Sequence, residues 1–289
     1  MKQKRVFGFA VIAVIYVLAI FIALFSFQIL EKYLSLYLAI FLADVIATLF
    51  VYFAGVFVKN TSVYDPYWSV QPLIIVSFLL TRFQVWNLGI LLMLIALFYW
   101  GIRLTANWAY TFDSLNSQDW RYEMLKEKSK KWYPVVSLLG INLFPTVIVF
   151  LAVLPAIVFF EQGGVNIITI IGFVICLLAA SLQLVADIQM QKYRNSPHDK
   201  SSIIRIGLWK YSRHPNYLGE ILQWWGIYIM MVSVQPDKWY LAIGAILNTL
   251  MFFFISIPMA EKRLASYKLN FDIYKQETRM LLPFKKADR

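Results

Sequence analysis

The chain has 289 residues, 60% hydrophobic and 15% charged, with a formal net charge of +11. That balance lies outside the range of soluble domains, so the charge reports orientation in a membrane and contact with anionic lipid rather than nucleic-acid binding. Cys176 is the single cysteine, which excludes an intramolecular disulfide, and two histidines beside it cannot build a structural zinc site.

Apolar runs near 6–30, 34–58, 68–81, 84–102, 134–160, 164–186, 217–235 and 239–258 approach or exceed the length that crosses about 30 Å of hydrocarbon. They predict an all-α, polytopic membrane bundle of about eight transmembrane helices, within a range of seven to nine. The first run is too long for a signal peptide, and no small-residue cleavage site follows it, so a retained helix is expected. The second contains Asp44, a carboxylate that lipid penalises unless it is paired, neutral or wetted. The sequence identifies no partner for it.

The third run is short and opens with Asp65-Pro66-Tyr67-Trp68, which predicts a re-entrant or partial span. Within it, Pro72 frees backbone groups and Gln71 offers an amide near the same depth. A broken or short helix of this kind suits a small-ligand pocket, although prolines are routine in membrane helices. The fourth run carries a stripe of Trp100, Arg103, Asn107 and Tyr110. Arg103 either snorkels to the interface or, with Asn107 one turn on, lines a cavity. Between 111 and 133 both signs of charge mix with Trp120, Tyr122 and Trp132, predicting an interfacial helix with aromatics at headgroup level.

Beyond 186 the sixth helix continues as Gln183, Asp187, Gln191 and Arg194, spaced four, four and three residues apart. Such a stripe can hold an adenine and ribose, with Arg194 free for a phosphate. The alternative is a helix end surfacing into water with Asp187 paired to Arg194.

Residues 207–220 read GLWKYSRHPNYLGE and precede an apolar helix. Arg213 and His214 stand just before Pro215, which suits the first helical position. Asn216, Tyr217, Glu220 and Trp224 then fall near one another on that helix. A helix N-terminus approached by Lys210 and Arg213 offers a site for nucleotide phosphates. A basic loop that only fixes topology is the plainer reading, and the Asn-Tyr-x-x-Glu run favours a site. After 261 the apolar residues Leu264, Tyr267, Leu269, Phe271 and Tyr274 predict a cytoplasmic helix, followed by an extended end that folds back under the bundle.

With the N-terminus inside, all but Lys32, Arg82 and Lys238 of the 27 Lys and Arg fall on cytoplasmic segments. The expected topology therefore has both ends cytoplasmic. Nothing divides the chain into soluble domains, so 1–289 reads as one integral membrane domain, with N-terminal helices in 1–60 and a core in 61–289.

The stretch IRIGLWKYSRHPNYLGEILQWWG, ending at Gly226, resembles the C-terminal signature of the steroid 5-alpha-reductase superfamily, and more narrowly its bacterial DUF1295-like branch. The resemblance extends to Tyr64–Ser69, Arg103–Trp108, Asp119–Tyr122 and Ala186–Gln189, and covers most of the chain after about residue 60. It implies an NADPH-dependent reductase acting on a carbon–carbon double bond of a lipophilic steroid-, sterol- or lipid-enone-like substrate. The cofactor would enter from the cytoplasmic side, and the branch resembled points to a bacterial inner membrane.

Carried over by position, Asp187 and Arg194 would hold the adenosine end. Asn216 would meet the cofactor nearer its diphosphate and nicotinamide, with Glu220 and Trp224 below it. Arg103, Asn107 and Tyr267 match further cofactor contacts, and Gln183, Arg213, His214, Tyr217 and Arg263 complete the expected cofactor set. The family's carbonyl-binding tyrosine and glutamate correspond to Trp100 and the neighbourhood of Gln71, neither a good proton donor, although the Trp100 indole can donate a hydrogen bond. Asp65 and Tyr67 are possible substitutes.

Isoprenylcysteine and phospholipid methyltransferases share an Arg-His-Pro-x-Tyr element before an apolar helix, and an acidic residue followed by a Leu and two aromatics. Glu261, Leu264, Phe271 and Tyr274 match that pattern. In that reading Arg213, His214 and Glu261 help bind S-adenosylmethionine. A third reading is a lipid- or sterol-binding protein that keeps the pocket without catalysis. Membrane lipids and a lipophilic small molecule are the expected partners, and no metal is expected in any reading.

Overall fold

A computed structural model describes residues 2–284. Lys285, Lys286 and Arg289, counted above among the inside charges, lie outside the described residues. Every regular element described is helical, and among the described residues the one β-type contact is an isolated parallel bridge between Ser212 and Arg279. A helix satisfies its own backbone polar groups, which is what apolar surroundings demand.

In chain order the α-helices are α1 (Lys2–Leu30), α2 (Leu36–Phe57), α3 (Tyr67–Phe83), α4 (Leu88–Thr111), α5 (Trp120–Ser129), α6 (Tyr133–Val136), α7 (Phe144–Phe159), α8 (Ile167–Asn195), α9 (Pro215–Val232), α10 (Ile243–Met251), α11 (Ile257–Tyr267) and α12 (Phe271–Glu277). Wider π-helical segments, Ser137–Leu143 and Phe252–Ser256, join α6 to α7 and α10 to α11 without a break. Among the described residues six helical stretches are long and apolar enough to cross a membrane. They are Gln3–Leu30, Leu36–Phe57, Leu88–Thr111, Trp120–Phe159, Ile167–Asn195 and Pro236–Tyr267. The α3 and α9 helices are shorter, at 17 and 18 residues.

One expectation from the sequence needs correction: α3 runs unbroken through Pro72. That proline lies in the second turn, so its missing N–H removes one bond, to the carbonyl of Trp68, and the helix tolerates this. As their polar stripes anticipated, α4 and α8 continue as helix past their apolar stretches, to Thr111 and Asn195, and the final stretch runs to Tyr267. Hydropathy marks where hydrocarbon would end, whereas a helix stops only where capping or a turn stops it.

The chain gathers into two compact units, Met1–Val85 with Leu104–Gln162, and Trp86–Arg103 with Gly163–Arg289. In the first, Ile12, Ile15 and Ala19 of α1 pack on Ala47 and Val51 of α2 and on Val63, Tyr64 and Tyr67. The Tyr16 hydroxyl donates to the Val63 carbonyl at 2.9 Å, and the hydroxyls of Tyr64 and Thr48 both meet Thr146, at 2.7 and 2.9 Å. Asn60 pins the segment before α5 by donating to the carbonyls of Leu115 and Ser117, at 2.7 and 2.9 Å.

In the second unit α8 starts from an Asn166 capping box and lies against α9 at glycine spacing. A Cβ added to Gly219 would fall 2.6 Å from the Ala179 carbonyl oxygen, and one on Gly226 would fall 2.9 Å from that of Gly172. Small residues let the two backbones approach, as membrane helix pairs require. This contact sets the register that brings the polar stripe of α8 to the start of α9.

Candidate functional site

At the centre of the second unit, the Glu220 carboxylate accepts from three buried donors on three helices. The indole Nε1 of Trp100 on α4 donates to Oε2 at 2.8 Å, and Gln183 Nε2 on α8 donates to the same oxygen at 3.0 Å. Trp224 Nε1, one turn further along α9, donates to Oε1 at 3.0 Å. The two indoles meet edge to face with centroids 4.9 Å apart, and both are fully buried. Gln183 passes the network on, because its carbonyl oxygen accepts from Arg103, whose NH1 also pairs with Asp187 at 2.9 Å.

Asp187 therefore pairs across to α4, and the expectation of an internal Asp187–Arg194 pair gives way to this cross-helix bond. Arg103, 6% exposed, does not simply snorkel, and its Nε is buried without a partner. A charged group with one donor left over, beside a paired carboxylate, is suited to gripping a polar ligand. Asn107, half-buried, lies one turn further along α4.

The GLWKYSRHPNYLGE motif divides into two kinds of residue. One part fastens the loop. Gly207 has φ +54°, and a Cβ there would strike the Gln189 amide, 2.3 Å from Nε2. The Leu208 N–H donates to Gln189 Oε1 at 2.9 Å, and the Trp209 indole donates to the Ala186 carbonyl at 3.0 Å. Arg213 and His214 bind the C-terminal strap. Arg213 Nε donates to Glu261 Oε1 at 2.8 Å, and its NH1 donates to the carbonyls of Lys275, at 3.1 Å, and Thr278.

His214 Nε2 lies 3.2 Å from the same Glu261 oxygen, and Lys275 holds the other at 3.0 Å. The backbone N–H groups of Arg213 and His214 donate to the carbonyls of Arg279 and Met280, at 2.9 and 3.1 Å. Tyr274 closes the strap with a 2.6 Å bond to the Trp209 carbonyl. Burial holds the His214 pKa below the usual histidine value, against the pull of Glu261.

The other part lines the start of α9. The Asn216 carboxamide oxygen accepts from the Tyr217 N–H at 3.1 Å, and Tyr217 stacks on His214 with centroids 5.2 Å apart. His214 occupies the N-cap position without a side-chain capping bond, Pro215 carries no N–H, and the Tyr217 and Leu218 N–H groups bond Asn216 Oδ1 and the His214 carbonyl, so the Asn216 N–H is the first-turn donor these bonds do not use. Arg194 and Arg263 are exposed, as is Tyr267 at 47%. Lys268, not singled out from the sequence, donates to the carbonyls of Lys200 and Ser202, at 2.8 and 2.6 Å. Burial, then the neighbouring Arg194 charge, lowers its pKa, so two cations share this corner.

The first unit holds what the sequence left unassigned. Asp44 is 5% exposed and is bonded by Tyr67, whose hydroxyl donates to Oδ1 at 2.7 Å, and by the Gln71 amide nitrogen, which donates to Oδ2. The signal was present as Tyr67 and Gln71, two donors four residues apart on one helix face. Naming Asp44 as their acceptor required knowing how α2 packs. All three line an apolar cavity of about 70 Å³ among α1, α2 and α3. Asp65 stands apart, taking a 2.5 Å bond from the Tyr122 hydroxyl, and burial raises its pKa to about 6. Among the described residues no group of three or more His, Cys, Asp or Glu could hold a metal ion.

A family described as protein of unknown function, DUF1295, matches residues 50–278. The chain belongs to it. DUF1295 is the steroid 5-alpha-reductase-like group, and its match takes in α3 to α12, the Glu220 network and the strap as far as Thr278. No curated protein and no solved structure matches the chain.

Proposed function

We propose that this DUF1295 protein is a membrane-embedded, NADPH-dependent reductase of a carbon–carbon double bond in a lipophilic enone. Both termini and the cofactor entrance would be cytoplasmic, and α3 and α9 would also span the bilayer. The observation that carries the reading is the Glu220 network, which draws the stripes of α4, α8 and α9 into one bonded cluster. The residues present fit the cofactor. Arg103 has an unsatisfied buried donor, Asn216 stands at the start of α9, and Arg194 with Lys268 forms a cationic corner for a phosphate.

NADPH, when bound, supplies the hydride. Asn216, through its backbone N–H and carboxamide, holds a diphosphate, Asp187 and Gln183 accept or donate to ribose and carboxamide groups, and Trp100 and Trp224 exclude water. Glu220 fixes both indoles. Of the catalytic candidates expected from the sequence, Trp100 donates its indole N–H to Glu220, Tyr67 and Gln71 donate to Asp44, and Asp65 accepts from Tyr122.

The methyltransferase reading needs Arg213, His214 and Glu261 to face S-adenosylmethionine. They are bonded to one another and to strap carbonyls instead. Thermal stabilisation of the purified chain by NADPH, NADH and S-adenosylmethionine in parallel tests the choice. Selective stabilisation by NADPH, about 2.7 kcal/mol at a hundred times its Kd, is expected. A response to S-adenosylmethionine alone overturns the reading.

A further inference from the structure

The cavity of the first unit has one polar end and a long apolar body. Tyr16, Asp44, Tyr67 and Gln71 stand at one end, and Phe27 and Phe78, edge to face with centroids 4.7 Å apart, stand at the other. At the standard helical rise, Tyr16 to Phe27 and Tyr67 to Phe78 each span about 16 Å. The wall between them includes Ala19, Ala23, Ala43 and Ala47, whose short side chains leave the space open. The trough is therefore narrow and elongated.

The polar end is not chemically complete. Gln71 is 4% exposed, and its Oε1 is buried with no hydrogen-bond partner. The amide cannot turn over to relieve this while Asp44 is ionised, because a carboxylate only accepts and must face the nitrogen. A buried carbonyl oxygen without a donor costs about 1–3 kcal/mol. The Tyr67 hydroxyl already donates to Asp44, and its remaining capacity is also to accept. The free positions thus call for a ligand that donates.

We propose that this trough binds an elongated lipophilic molecule carrying a hydroxyl, and that Gln71 Oε1 accepts the hydroxyl's hydrogen bond. The inference goes beyond the reductase reading and stands on the trough itself, where Gln71 sets which lipophilic molecules are accepted. A site built to receive a donor discriminates against an analogue that lacks one, since the acceptor is then stranded.

The test uses the full chain in detergent, with dodecanol and dodecyl methyl ether as probes and affinities taken from stabilisation titrations without nucleotide. The wild-type protein is expected to bind the alcohol about tenfold tighter than the ether. In Gln71→Leu the ratio falls to near one while the ether affinity is kept. Ala23→Trp fills the trough and abolishes binding of both probes. A ratio near one in the wild type reduces the trough to a groove filled by any lipid tail and overturns the proposal. So does a ratio that survives Gln71→Leu, or binding that survives Ala23→Trp. NADPH stabilisation is measured separately, so a protein that fails there and still selects the alcohol refutes the reductase reading alone.

Discussion

Removing the Arg213 guanidinium should release the C-terminal strap. The side chain is 8% exposed, and it pairs with Glu261 while donating to the carbonyls of Lys275 and Thr278. In Arg213→Ala both carbonyls lose this donor, and Glu261 keeps only His214 and Lys275. Breaking a buried pair costs about 3–5 kcal/mol, and each stranded buried group about 1–3 kcal/mol. Relaxation of the strap into water recovers part of this, so a local loss of about 3 kcal/mol is expected, roughly a 100-fold rise in strap opening. Hydrogen exchange reads it directly, because the backbone N–H groups at 213 and 214 donate to Arg279 and Met280 and survive the substitution. Both should lose roughly 100-fold protection, while the Tyr122 N–H, bonded to the Asp119 carbonyl at 3.0 Å, keeps its own. Arg213→Lys, which keeps the charge without the fork, should fall between. Unchanged protection at 213 and 214 in Arg213→Ala would refute the view that this arginine is a strap anchor.

Trp100→Phe keeps a ring against Trp224 and removes one donor to Glu220, so NADPH affinity should fall about three- to tenfold. Titration with unchanged affinity removes Trp100 from the cofactor site. Gly219→Ala would place a Cβ 2.4 Å from Gln183 Cγ and 2.6 Å from the Ala179 carbonyl oxygen, forcing α8 and α9 apart. A loss of several kcal/mol in thermal or denaturant unfolding is expected, whereas Gly140→Ala meets open space and should be tolerated. Asp65 has its folded pKa raised by burial from 3.8 to about 6. Its contribution to stability is thus fully present below 3.8 and is lost as pH rises through about 6, by at most about 3 kcal/mol. Unfolding midpoints measured across that window should show the slope in the wild type and a flatter profile in Asp65→Asn.

What could be read from the sequence was whatever belongs to one helix. Gln183, Asp187 and Arg194 follow from spacing alone, as do Trp100 with Arg103, and Glu220 with Trp224, because i, i+3 and i, i+4 neighbours are fixed by helical geometry. Hydropathy found the apolar runs but not their ends, since α4 and α8 continue as helix past the last apolar residue. The π segments at 137–143 and 252–256 have no signature in residue periodicity. Partners on different helices were hidden altogether. Asp44 looked alone because its donors, Tyr67 and Gln71, lie on α3, and Asp187 stayed open between a ligand and Arg194 because Arg103 lies on α4.

The same limit explains why the basic motif invites a reading larger than its chemistry. Lys210, Arg213 and His214 before a helix N-terminus form, as a local pattern, an anion site. Their fate depends on Glu261, nearly fifty residues downstream, which meets Arg213 and His214 through one carboxylate oxygen. The guanidinium, the imidazole and two backbone N–H groups are thereby committed to the strap. What this end presents to a ligand is Asn216, with its carboxamide and backbone N–H. Glu261 thus sets the division of labour in the motif. It holds the arginine and histidine in place so that the asparagine and the helix start are presented in a fixed geometry. A substitution at Glu261 should therefore loosen cofactor binding through the position of α9, without the carboxylate itself touching the nucleotide.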